Sequence, residues 1–239
     1  MKIFSTEGRG ISEDDVPGAL AERGVLYFRN GDLGSVRSHV FDWGRPYDHP
    51  HQSAPGITLI RARHTRPPAG LSGFTRDRLA LHTDRATCAE PPAVVATLVL
   101  AAPRAGGQAL LADSARVLTA WSRRRRLSTA RRSAFLETRK GRTLRPLIDS
   151  APTGGVRIRF RDDGIARPAA MGPAGEEFIG ELKRLCSRPV VLDLGPGEGY
   201  LIDNYRYLHG RRSFVGERTV VRFLATPGPD HTIPFGFDG

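Results

Sequence analysis

The chain has 239 residues, 39% hydrophobic and 26% charged, a globular composition whose length fits one domain (1–239) with a sizeable core. The formal net charge is +11, yet lysine occurs only at Lys2, Lys140 and Lys183, and so strong an arginine excess reads more readily as codon bias than as a nucleic-acid surface. With no apolar run of about 18 residues, no signal-peptide stretch at Met1–Glu7 and two cysteines (Cys88, Cys186) expected to be free, composition argues against a membrane or secreted protein and points to a soluble cytoplasmic one.

In chain order, residues 13–23 carry a helical pattern stopped by Gly24, followed by a strand at Val25–Phe28. A helical piece is expected around Leu33–Trp43, a strand at Ile57–Ile60 and a Pro- and Gly-containing loop from Arg63 to Arg78. Ala93–Leu100 is a continuous apolar run, read as a strand buried on both faces. Gly106-Gly107 turns the chain into a strand at Gln108–Ala112, and Asp113-Ser114 can cap a helix running towards Trp121. A further helix is expected over Thr129–Arg139, with Arg123–Arg126, Arg131 and Arg132 on its outer face and that of its neighbour. Val156–Phe160 alternates as a half-buried strand, and Glu176–Leu185 is an amphipathic helix. Strands at Val190–Leu194, Tyr200–Asp203 and Arg218–Ala225 complete a mainly β chain with flanking helices, the pattern of a sandwich or jelly roll.

Two short motifs carry chemistry. Leu81-His82-Thr83-Asp84 offers an imidazole and a carboxylate two residues apart, a spacing that on a strand places both on one face. Asp203-Asn204-Tyr205-Arg206-Tyr207-Leu208-His209-Gly210-Arg211 adds a second imidazole, and Arg218 a fixed cation. Two histidines and one carboxylate on one face of an octahedron form the ligand set of a non-haem Fe(II) oxygenase. Alone, His82 reads more readily as a structural histidine and Asp84 as a turn or cap residue.

Taken with Phe214, Gly216 and Arg218, the second motif resembles the distal-histidine segment of Fe(II)/2-oxoglutarate oxygenases of the taurine dioxygenase-like (TauD/TfdA) superfamily. It is most similar to the γ-butyrobetaine and trimethyllysine hydroxylase type, with Asn-x-Arg-x-Leu-His-Gly-Arg followed by Phe-x-Gly-x-Arg. Gly106, Gly107 and Asp113 fit the same pattern, and the likeness spans roughly residues 79–225. The resemblance implies a double-stranded β-helix (a jelly roll with a cupin-like core), His82, Asp84 and His209 as iron ligands, and Fe(II), 2-oxoglutarate and O2 as cofactor and cosubstrates. It makes Arg218, nine residues after His209, the anchor of the far carboxylate of 2-oxoglutarate, a role that suits a planar bidentate cation. The family places Thr or Ser two residues after the Gly-Gly; Ala109 stands there without a hydroxyl. Asp84 occupies the place where halogenating relatives carry a small residue, which favours hydroxylation.

The implied substrate is a small polar metabolite, an amino acid or related carboxylate of specialised metabolism. Arg222, four residues after Arg218 and so about 13 Å along the same strand face, reads either as the anchor of an anionic substrate group or as an arginine paired with a nearby acid. A buried guanidinium needs a counter-anion, and without an acidic neighbour the substrate would supply it. Asn204 is expected to face the metal and bond substrate, Arg157 and Arg159 to line the cavity, and the loop around residues 63–80 to act as a lid. A nucleic-acid oxidative demethylase, suggested by the basic charge, and a non-catalytic jelly-roll binding protein are the alternatives.

Overall fold

The computed structural model describes residues 1–4, 8, 10–12, 15–63, 70–139, 143–152, 154–228 and 234–237. The first elements are β1 (Lys2–Phe4), β2 (Gly10–Ile11), α1 (Val16–Arg23), β3 (Val25–Arg29), α2 (Leu33–Phe41), β4 (Gly44–Pro46), β5 (Ile57–Arg61) and β6 (Leu79–His82). The middle of the chain forms β7 (Val94–Ala101), β8 (Ala105–Gly106), β9 (Ala109–Asp113), α3 (Ala115–Arg123), α4 (Leu127–Ser133), β10 (Ala134–Thr138), β11 (Leu144–Pro146), β12 (Ile148–Ser150), β13 (Val156–Ile158) and β14 (Ala166–Ala170). The last part holds α5 (Pro173–Cys186), β15 (Val190–Leu192), β16 (Gly199–Asp203), β17 (Tyr207–Arg211), β18 (Phe214–Val215) and β19 (Thr219–Pro227).

The larger sheet runs β2-β1-β3-β16-β7-β19-β4, with β5 also paired to β19; the smaller runs β15-β9-β17-β6. Side chains alternate between the two faces of each strand, so each sheet contributes to two apolar layers. Val25, Val95, Ile202 and Leu224 from the larger sheet meet Ala109, Leu111 and Tyr207 from the smaller, forming the layer between the sheets. The opposite face of the larger sheet (Leu26, Phe28, Leu98, Leu201, Phe223) is covered by Leu20 of α1 and by Val36 and Val40 of α2. The opposite face of the smaller sheet (Leu81, Leu110, Ala112, Leu208) is covered by α3, α4 and α5 through Leu118, Trp121, Ala130, Phe178 and Leu182. This is the expected jelly-roll arrangement with helices outside. Val94–Val99 in β7 are all buried, as a strand covered on both faces requires. No helix among the described residues is long and apolar enough to cross a membrane.

Three sequence expectations are corrected. The helix expected over Thr129–Arg139 stops at Ser133; residues 134–138 are strand β10, paired with both β11 and β14, and ladder bonds on two sides override local helix propensity. The stretch from 156 to 160 is not half-buried: Arg157, Ile158, Arg159 and Phe160 are all buried, the two arginines because the segment 86–90 covers them. Asp84 does not share the strand of His82; β6 ends at His82 and Asp84 lies in the following turn. Residues 13 and 14 of the first expected helix lie outside the described residues, and α1 begins at Val16. The arginine run joins α3 to α4. Arg124 pairs with Glu181 and Arg126 with Glu177 on α5, so part of its charge is neutralised within the fold.

Gly199 opens β16 where the sheet leaves no room: a Cβ there would lie 1.9 Å from the Thr97 carbonyl oxygen and 2.3 Å from the Phe28 ring. Gly199→Ala should lower stability by about 1–3 kcal/mol or more through overpacking. Denaturant titration by circular dichroism checks this, and an unchanged midpoint would contradict the packing described.

Candidate metal centre

The centre is built by one strand pairing and one turn. In the smaller sheet β6 pairs antiparallel with β17, and His82 lies directly opposite His209. On its other side β17 pairs with β9, with His209 opposite Leu111, so the distal histidine sits on an interior strand. Gly210 permits this approach, since a Cβ there would come within 2.6 Å of the Leu79 carbonyl oxygen. Asp84 reaches the same place from the turn after β6. Asn204, just past the end of β16, holds that turn. Its Oδ1 accepts from Asp84 N at 2.7 Å, and its Nδ2 donates to Asp84 O at 3.1 Å and to Pro92 O at 2.8 Å.

The ligand atoms of His82, Asp84 and His209 all lie within 4.8 Å of one another. His82 Nε2 is 3.7 Å from Asp84 Oδ1, His209 Nε2 is 3.8 Å from Asp84 Oδ2, and the imidazole centroids are 4.6 Å apart. His82 Nδ1 lies 2.8 Å from the Ala80 carbonyl oxygen, a contact in which it must donate, leaving the Nε2 lone pair aimed at Asp84. All three side chains are buried. Burial, then the neighbouring His82, pushes the His209 pKa down to about 3, so its imidazole is neutral and able to ligate. Burial alone would raise the Asp84 carboxyl; Arg222 and the two histidines outweigh it and hold that carboxyl well below the usual range. Two imidazoles and one ionised carboxylate fit a divalent cation with nitrogen and oxygen ligands. Bonds near 2.0–2.2 Å would draw the three groups together only slightly.

The triad lines a cavity of about 260 Å3 together with His49, His51, Phe74, Thr97, Ala109, Tyr200 and five arginines: 85, 161, 211, 218 and 222. Arg218 makes no contact with a carboxylate among the described residues. Its guanidinium lies over the Phe214 ring at 5.9 Å, and burial lowers its pKa. The Gly106-Gly107 turn makes its berth: both glycines have positive φ, and a Cβ on Gly107 would lie 3.4 Å from Arg218 Cδ.

The remaining sequence candidates are relocated. Arg222 faces the cavity as expected but has an acidic partner, its Nη1 donating to Asp84 Oδ1 at 3.0 Å and Oδ2 at 3.1 Å. The premise that no protein carboxylate pairs with Arg222 is therefore overturned. The sequence could not reveal this, because Asp84 is 138 positions away and sits in a turn. Asn204 does not line the cavity; its amide is fully used in holding Asp84 and Pro92. Arg157 and Arg159 do not line it either. Arg159 donates to Asp149 and to the carbonyls of Ala86, Cys88 and Ala89, and Arg157 to Asp149, Glu90 and Ala89, so both anchor the segment after Asp84. In the expected lid, residues 64–69 lie outside the described residues. The part from 70 to 78 is tied down: Arg211 donates to the carbonyls of Thr75 and Asp77, and Arg76 pairs with Glu217. Lining residues that carry no signal in the sequence motifs include His49, Arg85, Arg161, Thr97 and Tyr200. The last two sit on strands that are legible, and the two-residue phase of those strands places them on the inner face.

His82→Ala should abolish binding of one equivalent of Fe(II) under anaerobic conditions while leaving the circular dichroism spectrum unchanged. Asn204→Ala removes the group that orients Asp84, and should weaken Fe(II) about 10–100-fold, as losses of outer-shell partners do. Retained stoichiometric binding by His82→Ala would contradict the centre.

The family model "Taurine catabolism dioxygenase TauD, TfdA family" matches residues 9–224. Among solved structures, PvcB, described as an Fe, alpha-ketoglutarate dependent oxygenase from an isonitrile synthetic pathway, superposes with a TM-score of 0.64 at 18% identity, covering 92% of this chain and 83% of its own. A taurine dioxygenase from Burkholderia xenovorans gives 0.66 at 15% identity, with 96% and 92% covered. Asparagine oxygenase, solved with Fe(II), (2S,3S)-3-hydroxyasparagine and succinate, gives 0.63 at 15% identity, with 90% and 79% covered. No curated protein matches the chain significantly. The chain belongs to the TauD/TfdA family and is an Fe(II)- and 2-oxoglutarate-dependent dioxygenase.

Proposed function

We propose that His82, Asp84 and His209 hold Fe(II), that Arg218 anchors the distal carboxylate of 2-oxoglutarate, and that the enzyme oxidises a C–H bond of a small anionic metabolite, an amino acid or related carboxylate of specialised metabolism. The observation that carries this reading is the cavity itself, which has the His-Asp-His triad in its wall and a half-buried arginine, Arg218, with no acidic partner among the described residues. Iron and 2-oxoglutarate, when bound, supply O2 activation coupled to decarboxylation of the oxo acid. The protein's own residues do the rest. The β6–β17 pairing fixes the two imidazoles, Asn204 fixes Asp84, and the buried walls keep bulk water from the reacting centre.

Charge in the cavity supports an anionic substrate. Arg222 is matched by Asp84 and Arg161 by Asp163, whereas Arg85 lines the cavity with no carboxylate partner among the described residues; its Nε, like that of Arg222, is buried without a hydrogen-bond partner there. With Arg222 occupied, Arg85 takes over as the candidate anchor for a substrate carboxylate. The volume of about 260 Å3 suits a compact metabolite. The asparagine oxygenase neighbour holds an amino-acid product, which agrees with this class of substrate.

Kinship to the γ-butyrobetaine and trimethyllysine hydroxylase type rests on the motif Asn204-x-Arg206-x-Leu208-His209-Gly210-Arg211. Apart from His209, the residues of this motif serve the fold. Arg206 forks onto Asp113 at 2.8 and 2.7 Å, Leu208 is buried, and Arg211 pins the segment 75–77. The motif thus supports the lineage without specifying a substrate, and an arginine-rich wall is poorly matched to a quaternary ammonium, which aromatic rings favour.

Arg218→Ala should weaken 2-oxoglutarate binding well over tenfold, since truncating one partner of a buried charged pair costs about 2–5 kcal/mol. Arg218→Lys should recover part of the loss but lack the bidentate fork. Calorimetric titration of the Mn(II)-loaded protein checks both, and an unchanged affinity would overturn the assignment. The substrate class is tested by mass spectrometry on a metabolite pool, seeking a carboxylate that gains one oxygen atom only when Fe(II), 2-oxoglutarate and O2 are all present. Turnover confined to cationic metabolites would refute it.

A further inference from the structure

An arginine alone satisfies only part of a carboxylate, which carries about four lone-pair sites. The family position that would add a hydroxyl is Ala109, which lines the cavity and donates nothing. The larger sheet offers two hydroxyls instead. Tyr200 on β16 pairs directly with Thr97 on β7, and Thr97 in turn pairs with Arg222 on β19, so the three form one cross-strand row. All three line the cavity with Arg218. Tyr200 is 3% exposed and Thr97 is 8% exposed, so neither is a surface hydroxyl.

We propose that the Tyr200 hydroxyl, beside Thr97 in the same cross-strand row, replaces the hydroxyl missing at Ala109 and donates with Arg218 to the distal carboxylate of 2-oxoglutarate. Several observations converge on this. Tyr200 lies directly opposite Thr97 in the sheet and shares the cavity wall with Arg218, and among the charged groups that act on its hydroxyl are Arg218, Asp84 and Arg222. Arg218 in turn feels Tyr200 as well as the neighbouring Arg211. Burial raises the Tyr200 pKa above its ordinary value, so the phenol remains a proton donor at neutral pH. A polar side chain this deeply buried, beside a cation without an acid, is arranged for an anion rather than for packing. The exchange of donors also accounts for the tolerance of alanine at 109: the hydroxyl has moved from the smaller sheet, which carries Ala109, to the larger one facing it.

This inference rests on the assignment of Arg218, and the experiment separates the two. The Mn(II)-loaded full chain is titrated with 2-oxoglutarate and, separately, with pyruvate, which has the same chelating end but no distal carboxylate. Tyr200→Phe should weaken 2-oxoglutarate about tenfold or more, the effect of losing a hydrogen bond to a charged group, and leave pyruvate and Mn(II) affinity unchanged. Adding Ala109→Ser to Tyr200→Phe should recover part of the loss by restoring a hydroxyl on the opposite sheet. If Arg218→Ala weakens 2-oxoglutarate and Tyr200→Phe does not, the role of Tyr200 is overturned while that of Arg218 stands. If neither substitution matters, both fail. Equal weakening of 2-oxoglutarate and pyruvate by Tyr200→Phe would mark general damage to the cavity and also overturn the inference.

Discussion

The site depends on one constraint: a turn has to deliver a buried carboxylate to two imidazoles that a sheet has already fixed. The sheet part is simple, because strands in register place facing residues within about 4.5–5.5 Å, and His82 faces His209. The turn part is harder, since an ionised carboxylate in an apolar interior is costly unless it is compensated. Asn204 holds the backbone of Asp84, Arg159 and Arg157 hold the segment that follows it, and Arg222 balances its charge. Residues from several strands and strand ends thus serve one carboxylate. Their burial follows from supporting Asp84 rather than from contact with substrate.

The same constraint organises the electrostatics of the cavity. Five arginines line it against one acidic group, Asp84. A wall of that kind is tolerable only if each guanidinium has an oxygen to bond. Arg222 and Arg161 find carboxylates, Arg211 finds carbonyls, and Arg218 has no carboxylate among the described residues, as an arginine proposed to hold the cosubstrate's distal carboxylate would. An enzyme that binds one dicarboxylate in every cycle can keep a cation uncompensated at that position, because the ligand completes the pair. The 106–107 turn, both of its glycines at positive φ, packs against Pro103, Phe214 and Arg218 at Gly107.

Much of this is legible in the sequence. The family resemblance of the two motifs names His82, Asp84 and His209, which the fold brings together, although Asp84 arrives from a turn and not from the strand that its spacing suggested; the same resemblance gives Arg218 as the expected anchor. Val94–Val99 declare a strand covered on both faces. What stays hidden depends on contacts distant in sequence. Arg222 falls on the correct face by alternation, but its partner lies in a turn that no strand pattern reveals. Arg157 and Arg159 look like cavity residues by the same alternation, yet the carbonyls of residues 86–89 claim them. Phe135–Glu137 look helical in isolation and become strand because β11 and β14 offer two ladders. Ala109 is visible as a gap in a pattern. Its compensation is not, because it comes from the facing sheet, and only the register of β16, β7 and β19 brings Tyr200 and Thr97 to it.

The central claim is that His82, Asp84 and His209 form one Fe(II) centre. His49 and His51 also line the cavity, so the identity of the imidazole ligands is a sharp discriminator. X-ray absorption of the anaerobic Fe(II)- and 2-oxoglutarate-loaded protein measures the ligand shell directly. The account predicts a six-coordinate iron with two imidazoles and otherwise oxygen ligands, and the same two-imidazole signal when His49 and His51 are both replaced by Ala. A shell with three or four imidazoles, or one that loses an imidazole in that double variant, would contradict it.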